Sequence, residues 1–113
     1  MSEANEIYIW TYFQGKINNS YGVAGLMGNL YAESALNPMN LQNSYESSLG
    51  YTDYTYTAAV DSGEYSESSF VNDQAGYGLA QWTYWSRKQL MYDFWKDGGY
   101  DSIGSIYLAC DFL

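Results

Sequence analysis

The chain has 113 residues, a length that fits one domain built around one hydrophobic core. It contains no histidine and one cysteine, and its 13 acidic residues outnumber 4 basic ones, which gives a net charge of −9 at pH 7. This composition excludes a Ser-His-Asp triad, a Cys-His pair, an imidazole-based zinc site and an intramolecular disulfide. Acid–base chemistry would therefore have to come from carboxylates, and we expect neither a metal nor a cofactor.

Apolar residues recur every three or four positions over residues 3–17, which predicts an amphipathic helix. A second and stronger stripe starts at Val23, with Ser20 as its predicted N-cap, and Pro38 should end this helix around residues 34–36. The second stripe also carries three glycines at three-residue spacing, which predict a close approach by another backbone: Gly22, Gly25 and Gly28.

The segment 40–73 is rich in Ser, Tyr, Thr, Gly and acidic residues, and no helical stripe is evident in it. Residues 51–57 alternate in a manner typical of a strand, and residues 58–60 suggest a short helical turn. We interpret this segment as an irregular excursion with a small β-hairpin. The expected fold class is therefore α+β and mostly α.

Helical periodicity returns over residues 83–96 and should stop at Gly98 and Gly99. Ser102 is predicted to cap a last apolar stripe, on which Cys110 would be a small buried side chain. That stripe is still running at Leu113, which predicts a domain truncated at its C-terminus or, alternatively, an exposed interface. Three tryptophans follow the helical stripes and are predicted to lie in the core: Trp10, Trp85 and Trp95.

The charge pattern also restricts the partners. The four basic residues are scattered, which argues against nucleic acid. The acidic N-terminal segment, residues 1–6, is followed by no apolar region typical of a secretory signal, and no run of about 20 apolar residues predicts membrane insertion. We expect a chain that is made in the cytoplasm and delivered to its place of action by something else.

Two short strings carry the candidate chemistry. The first, residues 29–38, places Glu33 in the last turn of an apolar helix, where the helix dipole and apolar neighbours both disfavour the charged carboxylate. A carboxyl group that keeps its proton is what a general acid needs. The second, residues 75–82, has glycines on both sides of Tyr77 and presents the amide of Gln81 beside aromatic faces. An acid near amides and aromatic rings is typical of polysaccharide cleavage.

In this order the two strings resemble the lysozyme-like superfamily, with goose-type lysozymes and lytic transglycosylases among its members. The similarity is closer to phage tail-type lysozymes and endolysin catalytic domains: it rests on Gly25-Leu-Met-Gly-Asn29-Leu-Tyr-Ala-Glu33-Ser34 and Gly76-Tyr-Gly-Leu-Ala-Gln-Trp82, and it covers roughly residues 10–95. The resemblance implies that residues 1–113 are a single lysozyme-like catalytic domain. It also implies a peptidoglycan hydrolase that cleaves the β-1,4 bond between N-acetylmuramic acid and N-acetylglucosamine.

The resemblance further implies individual roles. Glu33 would be the general acid, and Asp73 would position water, as an aspartate shortly before the second string does in goose-type enzymes. The substrate-binding residues implied are Ser34, Tyr77, Gly78, Gln81 and Trp82. The second carboxylate has four alternatives in the long tyrosine-rich segment: Glu46, Asp53, Asp61 and Glu64.

Three other interpretations stay open at this stage. Without a second carboxylate, a hydroxyl of the bound sugar would attack, and the protein would be a lytic transglycosylase. A cell-wall-binding or structural tail module without turnover is the alternative from another class, and a fragment without function is the third. In the catalytic case, a separate wall-binding domain or a phage tail component would bring the acidic chain to the bacterial wall, on delivery or at lysis.

Overall fold

The computed structural model describes residues 3–113, so the first two positions of the acidic N-terminal segment lie outside it. Its elements are seven α-helices: α1 (Glu3–Ile17), α2 (Ser20–Ser34), α3 (Asn43–Leu49), α4 (Asp53–Ser62), α5 (Glu67–Asn72), α6 (Trp85–Gly98) and α7 (Ile106–Phe112). Helix α1 packs against α2 and α7, and α6 packs against α5 and α7. None of the helices in this part of the chain combines the length and the apolar character needed to cross a bilayer.

The first two helices occur where the apolar stripes predict them. Helix α2 ends at Ser34 because Ala35 and Leu36 adopt left-handed backbone angles (φ 53° and 62°) ahead of Pro38. The predicted cap was wrong by one residue: Asn19, not Ser20, is the N-cap, and its side-chain oxygen accepts hydrogen bonds from the two backbone N–H groups that need a partner there.

The glycine prediction for α2 was also wrong. A Cβ atom built on Gly25 or Gly28 would meet nothing within 4 Å, and one built on Gly22 would make only ordinary contacts, at 3.5 Å or more. No backbone within residues 3–113 packs closely against this face of the helix. The glycines therefore weaken α2 locally without serving a close approach.

The α+β expectation was wrong: the described chain is all-α and contains no strand longer than isolated bridge pairs, which join Tyr77 to Leu41 and to Trp82. The alternating segment 51–57 belongs mostly to α4, and no β-hairpin forms. Thr52 and Thr55 make a capping box that starts the helix, and Tyr56 and Val60, four positions apart, are fully buried on one face. A local cap and a buried helical stripe outweigh the strand propensity of Tyr and Thr.

Helix α6 begins and ends two residues later than predicted, with Gly99 (φ 69°) as its C-cap. Trp95 lies in the core, as expected, but Trp10 and Trp85 are 38% and 56% exposed, so their assignment to the core was wrong. Helix α7 is capped by Ser105 rather than Ser102, and Cys110 on this helix is buried, as predicted.

Candidate active site

Glu33 lies in the last turn of α2 with its side chain exposed. The next residue, Ser34, is buried, and its hydroxyl donates to the Leu30 carbonyl oxygen at 3.0 Å. Ser34 therefore fastens the helix end, whereas Glu33 faces outward on the neighbouring position. Because water reaches Glu33 freely, any exclusion of water from this carboxyl group has to come from a bound ligand.

The segment 75–82 lies beside the turn that follows α2 and is held there by backbone hydrogen bonds. Gln42 N donates to the Gly76 carbonyl oxygen at 2.8 Å, and Gly78 N donates to the Asn40 carbonyl oxygen at 2.9 Å. The Gln42 side chain adds a bond, since its Oε1 accepts from Gly76 N at 2.9 Å. These contacts bring the second sequence string against the first one.

Gln81 is the member of the second string that reaches the neighbourhood of Glu33. Its backbone is left-handed (φ 52°), and its Nε2 donates to the carbonyl oxygens of Asn40 at 2.9 Å and Gly78 at 3.0 Å. With the NH₂ group anchored in this way, the amide is held in one orientation. Its Oε1 remains as a fixed acceptor.

Together these elements enclose an open groove of about 430 Å³. Glu33 is the one carboxylate among the groove residues within the described chain, and the rest of the lining is amides, hydroxyls, small side chains and one tyrosine. The polar lining residues are Asn40, Gln42, Asn43, Ser44 and Gln81, with Ser34 behind Glu33. A single acid surrounded by neutral hydrogen-bonding groups suits an uncharged polar ligand such as a sugar.

Tyr77, Gly78 and Trp82 are not brought to the groove. Tyr77 is fully buried, its hydroxyl is paired with Thr57 Oγ1 at 2.5 Å, and burial raises the pKa of its phenol. Gly78 has φ 85°, and a Cβ atom there would lie 2.9 Å from the Trp82 ring, which is itself only 7% exposed. These three residues support the segment that carries Gln81 from beneath, and direct contact of any of them with a sugar stays a prediction.

Asp73 lies in a buried network. Its Oδ1 accepts from Lys88 Nζ at 2.5 Å and from Ala75 N at 2.9 Å, and its Oδ2 accepts from the hydroxyls of Tyr56 at 2.6 Å and Tyr65 at 2.8 Å. The side chain is 5% exposed, and that of Lys88 is fully buried. Asp73 does not line the groove of Glu33, and both of its oxygens are engaged.

Three ionisable groups of this network have shifted pKa values, and burial and the hydrogen bond to Asp73 raise the pKa of Tyr65. Burial lowers the pKa of Lys88, and the Asp73 carboxylate opposes that effect. Burial, followed by the charge of Asp73 and the hydrogen bond to it, raises the pKa of Tyr56 far above its ordinary value. The network ties α4, α6 and the start of the second string together.

The remaining candidate carboxylates are distributed over residues 40–73. Asp53 accepts from Leu41 N at 2.8 Å and from the Asn37 amide, and Asp61 accepts from Ile103 N at 2.8 Å and from the Ser102 hydroxyl. Glu46 lies half-buried on α3, and Glu64 is exposed after α4. No group of three or more Asp, Glu or Cys side chains in residues 3–113 is arranged to hold a metal ion.

One wall of the groove was not predicted from the sequence. Asn43 and Ser44 come from the first turn of α3, a helix hidden in a segment interpreted as irregular. The polar run of residues 42–44 was the available signal, since it follows the turn after α2 closely. Its importance depends on the bonds between Gln42 and Gly76, which are 34 positions apart.

An acid at the end of a helix, facing a groove of neutral polar groups, has the chemistry to protonate a glycosidic oxygen. The model of the phage tail lysozyme family matches residues 4–113, so the chain belongs to the phage tail lysozyme family. Membership implies peptidoglycan as the substrate. Neither the curated proteins nor the solved structures contain a match to this chain.

Proposed function

We propose that this protein is a glycosidase that cleaves the β-1,4 bond between N-acetylmuramic acid and N-acetylglucosamine, with Glu33 as the general acid. The observation that carries the proposal is the groove at the end of α2, in which Glu33 is the one lining carboxylate within residues 3–113. Family membership supports a lysozyme-like cell-wall module but leaves the bond and the residue open.

In the first step, the Glu33 carboxyl group donates its proton to the glycosidic oxygen as the bond to the sugar breaks. Gln81 Oε1 and the exposed Asn43 and Ser44 side chains supply hydrogen-bonding groups for the acetamido and hydroxyl groups of the glycan. The bound strand covers Glu33 and excludes water from the carboxyl group while the proton is transferred.

The second step decides between two products. In the hydrolytic version, Asp73 or another carboxylate activates a water molecule on the opposite face of the sugar. The engagement of both Asp73 oxygens and the single acid in the groove favour a second candidate, lytic transglycosylation. In that reaction a hydroxyl of the same sugar attacks its anomeric carbon, gives its proton to the Glu33 carboxylate left by the first step, and closes an anhydro ring. The role of Asp73 stays a prediction.

Glu33→Gln tests the acid, because the amide keeps the size of the side chain but has no acidic proton to transfer. We expect the release of soluble fragments from purified peptidoglycan to fall about a hundredfold or more. Glu6→Gln is the matched control, since Glu6 is also exposed, lies outside the groove and is not a candidate for the second carboxylate. If Glu33→Gln clears cell walls at the rate of the control, the assignment of the acid is wrong.

Mass spectrometry of the fragments separates the reactions. Reducing N-acetylmuramic acid ends indicate hydrolysis, anhydro ends indicate transglycosylation, and reducing N-acetylglucosamine ends would show that another bond is cut. A natural chain that binds the wall and releases nothing would instead be a binding module.

For the place of action, we propose the bacterial cell wall after phage delivery or lysis. The net charge of −9 opposes unspecific attraction to an anionic wall, so a separate wall-binding domain or tail component is the proposed means of delivery.

A further inference from the structure

A second groove, of about 370 Å³, lies beside the groove of Glu33 and contains no charged side chain. Its aromatic members are Tyr45 on α3 and the pair Tyr84 and Trp85 at the start of α6. The rings of that pair lie 6.1 Å apart, tilted by 33°, and the residues are 65% and 56% exposed. We call Tyr84 and Trp85 the aromatic platform.

The two grooves are lined by different residues, which are neighbours in the chain at two places. Helix α3 contributes Ser44 to the first groove and the adjacent Tyr45 to the second, and the second string contributes Gln81 to the first groove while Thr83, directly after that string, lines the second. Thr83 Oγ1 donates to the Gln81 carbonyl oxygen at 2.9 Å. Gln81 of the first groove and Thr83 of the second are therefore in direct contact at the boundary between the two grooves.

The meeting point of the walls lies over Gly76. A Cβ atom there would approach Gln81 Oε1 to 2.8 Å, Gln42 Oε1 to 3.2 Å and Thr83 Oγ1 to 3.3 Å. Three oxygen acceptors from both grooves thus converge on a residue without a side chain. This places hydrogen-bond acceptors between the acid and the aromatic rings.

We propose that the second groove is a saccharide-binding subsite that takes N-acetylated sugar units of the same glycan strand whose bond is cut at Glu33. This proposal rests on the proposed function and extends it to substrate length. Pyranose rings present apolar C–H faces that suit exposed aromatic rings, and the amides of Gln74 and Asn72 in the groove suit acetamido and hydroxyl groups.

The chemistry of the lining also restricts the ligand. Without a basic side chain, the groove provides no counter-charge for phosphate or nucleic acid. The side chains of the platform contribute little to the stability of the fold, because both are more than half exposed and the Tyr84 side chain makes no capping hydrogen bond to α6. An exposed aromatic pair at the edge of a groove is typical of a ligand-binding surface and not of a hydrophobic core.

The test is a length series of N-acetylglucosamine oligomers, titrated by calorimetry into the full chain carrying Glu33→Gln so that no cleavage interferes. We expect long oligomers to bind more tightly than short ones, and Tyr84→Ala with Trp85→Ala to remove that gain, weakening long oligomers roughly tenfold, which is ~1.4 kcal/mol. Tyr21→Ala is the control, since Tyr21 is 92% exposed and lines neither groove.

The outcomes separate this inference from the proposed function. Equal binding by the platform variant and the Tyr21 control, an absence of length dependence, or no binding of any oligomer would overturn the subsite. If the platform variant weakens long oligomers while the chain with intact Glu33 cuts no peptidoglycan, the subsite holds and the glycosidase proposal fails. In a cleaving protein, the platform variant should also raise KM for long glycan strands.

Discussion

Replacing Asp73 by asparagine removes the counter-charge of the buried Lys88 ammonium group while preserving the size of the side chain. Lys88 is fully buried, and its other polar contacts are the Ala75 carbonyl oxygen at 2.9 Å and the Tyr56 hydroxyl at 3.3 Å. These neutral oxygens do not replace a carboxylate at 2.5 Å. The variant therefore leaves an uncompensated charge inside the protein, or forces Lys88 to lose its proton.

The expected cost follows from the geometry. Breaking one side of a buried ion pair costs about 3–5 kcal/mol. The hydrogen bonds are largely recoverable, because the amide oxygen can accept from Lys88 while the hydroxyls of Tyr56 and Tyr65 rotate to accept from the new NH₂ group. The loss of the counter-charge is therefore the main cost. At about 4 °C per kcal/mol for a chain of this size, this cost lowers the melting temperature by roughly 12–20 °C.

The assay is thermal and urea unfolding followed by far-UV circular dichroism, combined with peptidoglycan cleavage well below the melting temperature. The variant Asp73→Asn with Lys88→Met is the matched control, since it removes both charges and should recover part of the lost stability. If Asp73 acts mainly in the fold, the folded single variant keeps its cleavage.

Two results would refute this reasoning. A melting temperature within ~2 °C of the natural chain would mean that the ion pair contributes little to the fold. A folded Asp73→Asn protein that has lost cleavage would instead support Asp73 as the second catalytic carboxylate, and the buried network would then have to open when substrate binds.

Three further predictions concern other parts of the chain. Gly76→Ala should reduce peptidoglycan cleavage at temperatures where the variant is still folded, since its Cβ would lie 2.8 Å from Oε1 of the anchored Gln81 amide. Cleavage at the rate of the natural chain would contradict the groove geometry. Gly28→Ala should stabilise α2 by up to ~1 kcal/mol in urea unfolding, because nothing lies within 4 Å, and a loss of stability would expose an unrecognised contact. Stability should fall as the pH rises above about 10, the ordinary pKa of tyrosine. Burial raises the pKa of Tyr56 and Tyr77, so the folded state holds protons that the unfolded state releases, and flat stability between pH 9 and 12, approximately, would contradict this.

The helices that border the site on the α2 side could be predicted from local pattern alone. Apolar spacing indicated α1 and α2, and Pro38 placed the end of α2 close to Glu33. Each of these signals acts within a few residues of its cause, and a helix end buries little that depends on distant partners.

The middle of the chain was predicted wrongly because two local signals compete there. The alternation of Tyr and Thr over residues 51–57 favours a strand, whereas the capping box at Thr52 and the burial of Tyr56 and Val60 favour a helix. The spacing of apolar residues in the sequence does not show which of the two signals is stronger, since the burial of Tyr56 and Val60 depends on the segments that pack against α4. Trp85 shows the same limit: it continues an apolar stripe, but α6 begins outside the core.

For this protein, the amino-acid sequence by itself determined an acidic chain without histidine, two N-terminal helices and an acid at the end of the second. Only the tertiary structure decided what surrounds that acid: Gln81 is anchored on Asn40, 41 positions away, and Asp73 is paired with Lys88 inside the protein. Helical periodicity is a local property that a sequence displays directly. Hydrogen bonds and ion pairs between distant segments form only when the whole core packs, and they determine which carboxylate faces the groove and which one supports the fold.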